Sequence, residues 1–190
     1  VIHPSEGGTP LIVLTGASAA GKTTVGRLLA DRFPRGAFVE GDAVRTMVRT
    51  GRVDMTPRDT TPEAVLQLQL RYRQLAALAD SFHEAGFATV VEDVIVGRHL
   101  TEFVRSLRAS PLHLVVLVPD EESMASRESA RDKCAYDEVW SIAALNAVVH
   151  RETPRLGLWL DSSGLTAEQT VDEVLSTLPQ SLLRAGETGS

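Results

Sequence analysis

The sequence predicts an α/β protein of three layers, a five-stranded parallel sheet between helices, with a small helical lid. Two observations carry this prediction. Short, wholly apolar runs alternate with longer amphipathic ones, the pattern of βα units around a parallel sheet. A glycine-bearing turn follows the first apolar run directly and opens the first helix, as strand–loop–helix units do.

The elements follow in order. Leu11, Ile12, Val13 and Leu14 make the first strand, because a run apolar at every position suits a strand buried on both faces. A helix over about 22–33 comes next, stopped by Pro34. Residues 37–39 are the second strand, closed by Glu40-Gly41-Asp42 and followed by a short helix. Residues 50–61 are polar, contain Gly51 and Pro57, and predict a mobile loop. The longest helix starts with Thr61 as N-cap and Pro62 in its first turn. Its apolar positions Val65, Leu68, Tyr72, Leu75, Ala79 and Phe82 step by three and four, and Gly86 closes it. Residues 88–91, 112–118 and 158–160 are the third, fourth and fifth strands, and a last helix covers about 166–178. The lid is expected over about 120–137, and the polar tail, 179–190, is expected to fray.

Composition bounds the function. The chain has 190 residues, 43% hydrophobic and 23% charged, which suits one globular domain spanning 1–190. With 19 Lys plus Arg against 25 Asp plus Glu, the net charge of −6 argues against a general nucleic-acid or anionic-membrane binder. The single Cys134 leaves no disulfide framework and no multi-cysteine metal site. The five histidines show no ligand spacing. No apolar run approaches the roughly 18 residues of a membrane span. The first eight residues lack the basic start and apolar core of a signal peptide, so the expected location is cytoplasmic.

Gly16-Ala17-Ser18-Ala19-Ala20-Gly21-Lys22-Thr23 fits the phosphate-loop pattern. Its backbone N–H groups can curl around phosphate oxygens, and the helix after it, with Thr24 in its first turn, presents a positive end. Lys22 is the candidate for the β- and γ-phosphates, and the Thr23 hydroxyl for Mg²⁺. Only Lys22 and Lys133 are lysines, so one of the two stands at the position where this motif needs it.

Further candidates lie where the other strands end. Asp42 can accept the proton of an attacking hydroxyl or simply cap the short helix, and Arg45 shares its face and can grip a polar or anionic substrate. Glu92 and Asp93 are adjacent, so one of them is expected to face the cleft and to hold a Mg²⁺-bound water or a substrate hydroxyl. Arg127 and Arg131 are four apart, share a helical face, and can close over the transferring phosphoryl group; Lys133 follows. Arg45, Arg49, Arg52 and Arg58 suggest a cationic substrate cleft.

Together these motifs resemble the small P-loop kinases, most closely the chloramphenicol 3-O-phosphotransferase-like group. The resemblance rests on Gly16 to Thr23, Asp42, Val90-Val91-Glu92-Asp93-Val94, Arg127-Glu128-Ser129-Ala130-Arg131 and Leu158-Trp159-Leu160-Asp161-Ser162-Ser163. It implies an ATP- and Mg²⁺-dependent kinase acting on a hydroxyl of a small molecule, antibiotics such as chloramphenicol included. It also implies that Asp42 is the base, that the lid arginines clamp ATP, and that the loop after the fifth strand wraps the adenine. Kinases of adenylylsulfate, nucleosides or sugars, a polynucleotide 5′-hydroxyl kinase, and a nucleotide-binding switch are the alternatives.

Overall fold

The computed structural model describes residues 8–55, 60–129 and 142–184. Strand β1 (Leu11–Gly16) is buried at every position and occupies the middle of the sheet. Helix α1 (Lys22–Asp31), strand β2 (Gly36–Glu40) and the short α2 (Gly41–Thr46) follow. The long α3 (Pro62–Glu84) leads to β3 (Ala88–Glu92), then α4 (Arg98–Ser106) and β4 (Leu112–Leu117). Helices α5 (Glu121–Ser129) and α6 (Ile142–Glu152), β5 (Leu158–Leu160) and α7 (Ala167–Ser176) complete the order, before a 3₁₀ turn at Leu178–Ser181.

The five strands are parallel and run β2-β3-β1-β4-β5. Alternation of side chains along each strand divides the core between two faces. Leu11 and Val13 of β1 pack with Tyr72, Leu75, Phe103 and Val149, so α3, α4 and α6 cover one face. Ile12 and Leu14 pack with Val25, Leu29, Val171 and Val174, which puts α1 and α7 on the other. The connection after β1 runs to the β2 edge, whereas the connection after β3 passes over β1 to β4. That divergence opens a crevice at the carboxyl ends of β1 and β3, where open α/β sheets bind ligands.

Local signals set the helix starts. The Thr61 hydroxyl accepts from the Ala64 N–H at 3.3 Å with Pro62 in the first turn, and Thr166 forms a full capping box with Gln169. Helix α1 ends at Asp31, short of the expected 33, because the Arg32 and Phe33 amides bond back to Leu29 and Ala30 in a tightened last turn.

Two expectations change. The polar tail does not fray over 179–184: Ser181 is fully buried beside His113, and the Leu183 N–H donates to the Leu112 carbonyl at 2.9 Å. Residues 185–190 lie outside the described residues. The loop after α2 is fastened to α3, because Gln67 donates to the Gly51 carbonyl and accepts from the Val53 amide, both at 2.9 Å. Residues 56–59 lie outside the described residues, as do Arg131, Lys133 and Cys134 of the expected lid.

Asp80 of α3 is a hidden fastener, 1% exposed, accepting from the amides of Arg108 and Ala109 ahead of β4. Hydrogen bonds to a charged group are worth about 1.5–3 kcal/mol, so Asp80→Ala should lower unfolding stability by about 2 kcal/mol or more in urea melts. An unchanged midpoint would show that water replaces the carboxylate at no cost.

Candidate active site

The loop between β1 and α1 is built by backbone constraint. A Cβ on Gly16 would meet the Leu117 carbonyl oxygen at 2.4 Å, so only glycine lets β1 end this close to β4. Gly21 has φ +93°, and Ala19, at φ 60°, holds a left-handed conformation that costs a residue with a side chain roughly 1 kcal/mol. Strain of this kind concentrates at ligand sites. The Lys22 ammonium folds into the loop and donates to the Ala17 carbonyl at 2.9 Å. Thr24 is exposed in the first turn of α1.

Two acids mark the end of β3, and both are buried. Glu92 turns toward the α1 face, where its Oε1 accepts from the Thr23 hydroxyl at 3.0 Å. Burial pushes its carboxyl up to about 7, against the opposing pull of Lys22. Asp93 turns to the α3 face, where Arg71 binds it through Nε–Oδ2 at 2.8 Å and Nη2–Oδ1 at 3.0 Å. Burial raises its carboxyl too, and Arg71 works against that rise. The Asp93 carboxyl packs directly under the start of α2, where a Cβ on Gly41 would come within 2.3 Å of it. Alternation sends the two acids to opposite faces: Glu92 meets the phosphate loop, and Asp93 is enclosed between Arg71 of α3 and the start of α2.

Asp42 stands one residue beyond Gly41, its side chain 54% exposed, and accepts from Arg45 Nε at 3.1 Å. Arg45 also pairs with Asp54 at 2.9 Å, and Arg52 approaches the same carboxylate at 3.3 Å. Of the expected cationic cleft, Arg45 and Arg52 are thus balanced by acids, because the loop after α2 brings Asp54 back to them, and Arg58 lies outside the described residues. From α5, Arg127 reaches over the phosphate loop and donates to the carbonyls of Ala20 at 3.2 Å and Ser162 at 2.8 Å. It ties the loop to the segment after β5.

Thr23, Glu92 and the loop suit Mg²⁺ carried by nucleotide phosphates. They offer hard oxygen donors, and Mg²⁺ needs only one or two of these from protein when phosphates supply others. Among the described residues no group of three or more His, Cys, Asp or Glu gathers into a metal cage.

Beyond the acids lies a cavity of about 990 Å³ between α2, α3, α6 and the start of α4. Arg45, Arg71, Tyr72 and His99 line it together with a largely apolar wall.

The model of the AAA domain family matches residues 11–150, from β1 into α6. The chain belongs to this family. Its fold is that of the small P-loop kinases, as the fold comparisons show. A sugar kinase from Janibacter sp. HTCC2649 superposes with a TM-score of 0.65 at 21% identity, covering 96% of this chain and 99% of that one. The tunicamycin resistance protein of Deinococcus radiodurans gives 0.61 at 17% identity, covering 93% and 99%. Shikimate kinase from Acinetobacter baumannii, solved with shikimate, gives 0.57 at 19% identity, covering 93% and 96%. These likenesses show the fold. Among curated proteins none matches the sequence.

Membership of this family brings nucleotide binding with it. The residues that motif reading missed are Arg71 and Tyr72, whose hydroxyl donates to the Val94 carbonyl at 2.9 Å. A signal was present. Arg71 sits three after Leu68 and four before Leu75, on the inward stripe of α3, where an arginine requires a buried acid.

The raised Glu92 carboxyl predicts a pH signature without nucleotide. Its neutral form is favoured in the folded state, so the folded protein loses stability as pH rises from about 4.5 through about 7. The full loss is about 3 kcal/mol. Glu92→Gln keeps the Thr23 contact without that loss, so its Tm should gain on the wild type between pH 5 and pH 8. A gap that does not change with pH would refute the assignment.

Proposed function

We propose that this protein is an ATP- and Mg²⁺-dependent phosphotransferase acting on a hydroxyl of a small molecule in the cytoplasm. One observation carries the reading: Glu92, at the end of β3, meets Thr23 at the phosphate loop, while the next residue, Asp93, is held by Arg71, which lines the 990 Å³ cavity. Donor and acceptor bound in these two places meet at the end of β3. The acid-balanced arginines favour a small molecule over a polynucleotide, which needs a basic channel. The structural neighbours, a sugar kinase and shikimate kinase among them, are of the same broad kind.

The residues take these roles. The amides from Gly16 to Thr23 and the Lys22 ammonium, swung off the Ala17 carbonyl, bind the β- and γ-phosphates. Thr23 and Glu92 are the residues that would hold Mg²⁺, and the ion would supply neutralisation of phosphate charge. Asp42 orients the acceptor hydroxyl and takes its proton, while Arg45 fixes the Asp42 carboxylate. Asp93 holds Arg71, which lines the acceptor cavity. Arg127 clamps the phosphates from α5, and Arg131, four positions later in the sequence, is assigned the same role. Chloramphenicol is one antibiotic acceptor to test, with resistance by inactivation as its consequence.

Lys22→Ala should lower ATP affinity or turnover by about 10²-fold or more, read by calorimetry and ADP release. Near-normal activity would remove the phosphate-loop role. Asp42→Asn should lower kcat by about 10²–10⁴ with ATP affinity unchanged. Equal transfer by this variant would leave Asp42 as a helix-cap and ion-pair residue only. Arg127→Ala should raise KM for ATP and lower kcat together; unaffected kinetics would remove it from the site.

A further inference from the structure

The cavity specifies the chemistry of the acceptor further than the fold does. Its volume is at the upper end of the roughly 300–1,000 Å³ typical of sites for drug-sized ligands. Val44, Val48, Val53, Leu68, Val94 and Val148 supply much of its wall. Two of the chain's three methionines, Met47 and Met55, line it as well. Met47 is 67% exposed, the most exposed large apolar side chain among the described residues, and nothing in the folded core accounts for it there. Methionine is the flexible, polarisable filler of sites that adapt to apolar guests.

The polar lining is largely committed already. Gln67 spends its amide on Gly51, Val53 and Glu63, and the Tyr72 hydroxyl donates to Val94. Arg45 is held by Asp42 and Asp54, Arg52 by Asp54, and Arg71 by Asp93. The remaining charged residues of the wall, Arg98 and Glu152, are of opposite sign. An anionic guest at Arg45, Arg52 or Arg71 would have to draw a guanidinium away from its carboxylate and then lie beside that carboxylate. An arginine that recognises a phosphate, sulfate or carboxylate does so with its paired N–H groups, and those of Arg45 and Arg71 are already on carboxylates. That leaves the exposed Arg98 at the cavity rim, with Glu152 also in the wall.

We propose that the acceptor is an uncharged amphipathic alcohol, an apolar or aromatic body carrying a hydroxyl, and not a carboxylated, sulfated or phosphorylated metabolite. This rests on the kinase reading above. The acceptor oxygen forms a bond to the γ-phosphorus as the bond from that phosphorus to the β,γ-bridging oxygen breaks. The hydroxyl proton passes to Asp42, and the products are a phosphomonoester and ADP. The body of the guest lies against the valines and the two methionines, with its hydroxyl toward Asp42.

Matched pairs of probes test this with the full chain. One pair is 3-phenyl-1,2-propanediol and 3-phenyllactate, which share a skeleton and a 2-hydroxyl but differ in charge; further aryl alcohols are paired with their carboxylates in the same way. Binding is measured by calorimetry with a non-hydrolysable ATP analogue and Mg²⁺ present, and transfer by mass spectrometry of the phosphomonoester. The neutral members should bind about tenfold or more tightly than their partners. Met47→Asp should weaken them about tenfold, whereas Met47→Leu should preserve their affinity. Preference for the carboxylates, no binding of any neutral member, or indifference to Met47→Asp overturns the proposal. Binding of the neutral members without phosphorylation of any would sustain the ligand class and overturn the kinase reading instead.

Discussion

Glu92 and Asp93 leave the end of β3 on opposite faces of the sheet, and both are buried. A carboxylate in that position is costly unless a partner meets it, so each acid dictates what must pack beside it. On one face Thr23 and Lys22 answer Glu92, which holds α1 and the phosphate loop against β3. On the other, Arg71 answers Asp93 and anchors α3, while Gly41 leaves room for that carboxyl beneath α2. The two halves of the site are therefore joined through one dipeptide. A change at either acid should reach both.

The same logic of paired charge governs the acceptor side. The chain is acidic as a whole and keeps its cleft arginines, yet it surrounds them with Asp42, Asp54 and Asp93. The result is rigid positioning with little net field, which suits orientation of a hydroxyl better than capture of an anion. Under the proposed function phosphate charge is met instead at the loop, where Lys22, the α1 N-terminus and Arg127 converge.

Much of this was legible locally. The apolar run of β1, the phosphate-loop spacing and the Thr61-Pro62 start of α3 are signals carried by neighbours in sequence, and each appears where expected. The small P-loop kinase resemblance holds with them. Features made by distant residues were not legible. Arg127 meets Ala20 across 107 positions, and Asp54 neutralises Arg45 only because Gln67 pins the intervening loop. The tail around Ser181 reads as polar and loose, yet His113 and the edge of β4 fasten it. Arg71 sits between these cases: its sequence position signals a buried acid, and only the fold says which one.

The central claim is that the γ-phosphoryl crosses from a nucleotide at the loop directly to a guest in the cavity. It is tested most directly by following that group. Enzyme in excess over γ-labelled ATP, with Mg²⁺ and a neutral aryl alcohol, is quenched through a single turnover and the label is partitioned. The account predicts label in the organic phosphomonoester in step with ADP, with little in inorganic phosphate. Label released only as inorganic phosphate, at a rate indifferent to the alcohol, would contradict it and make the protein a nucleotide hydrolase.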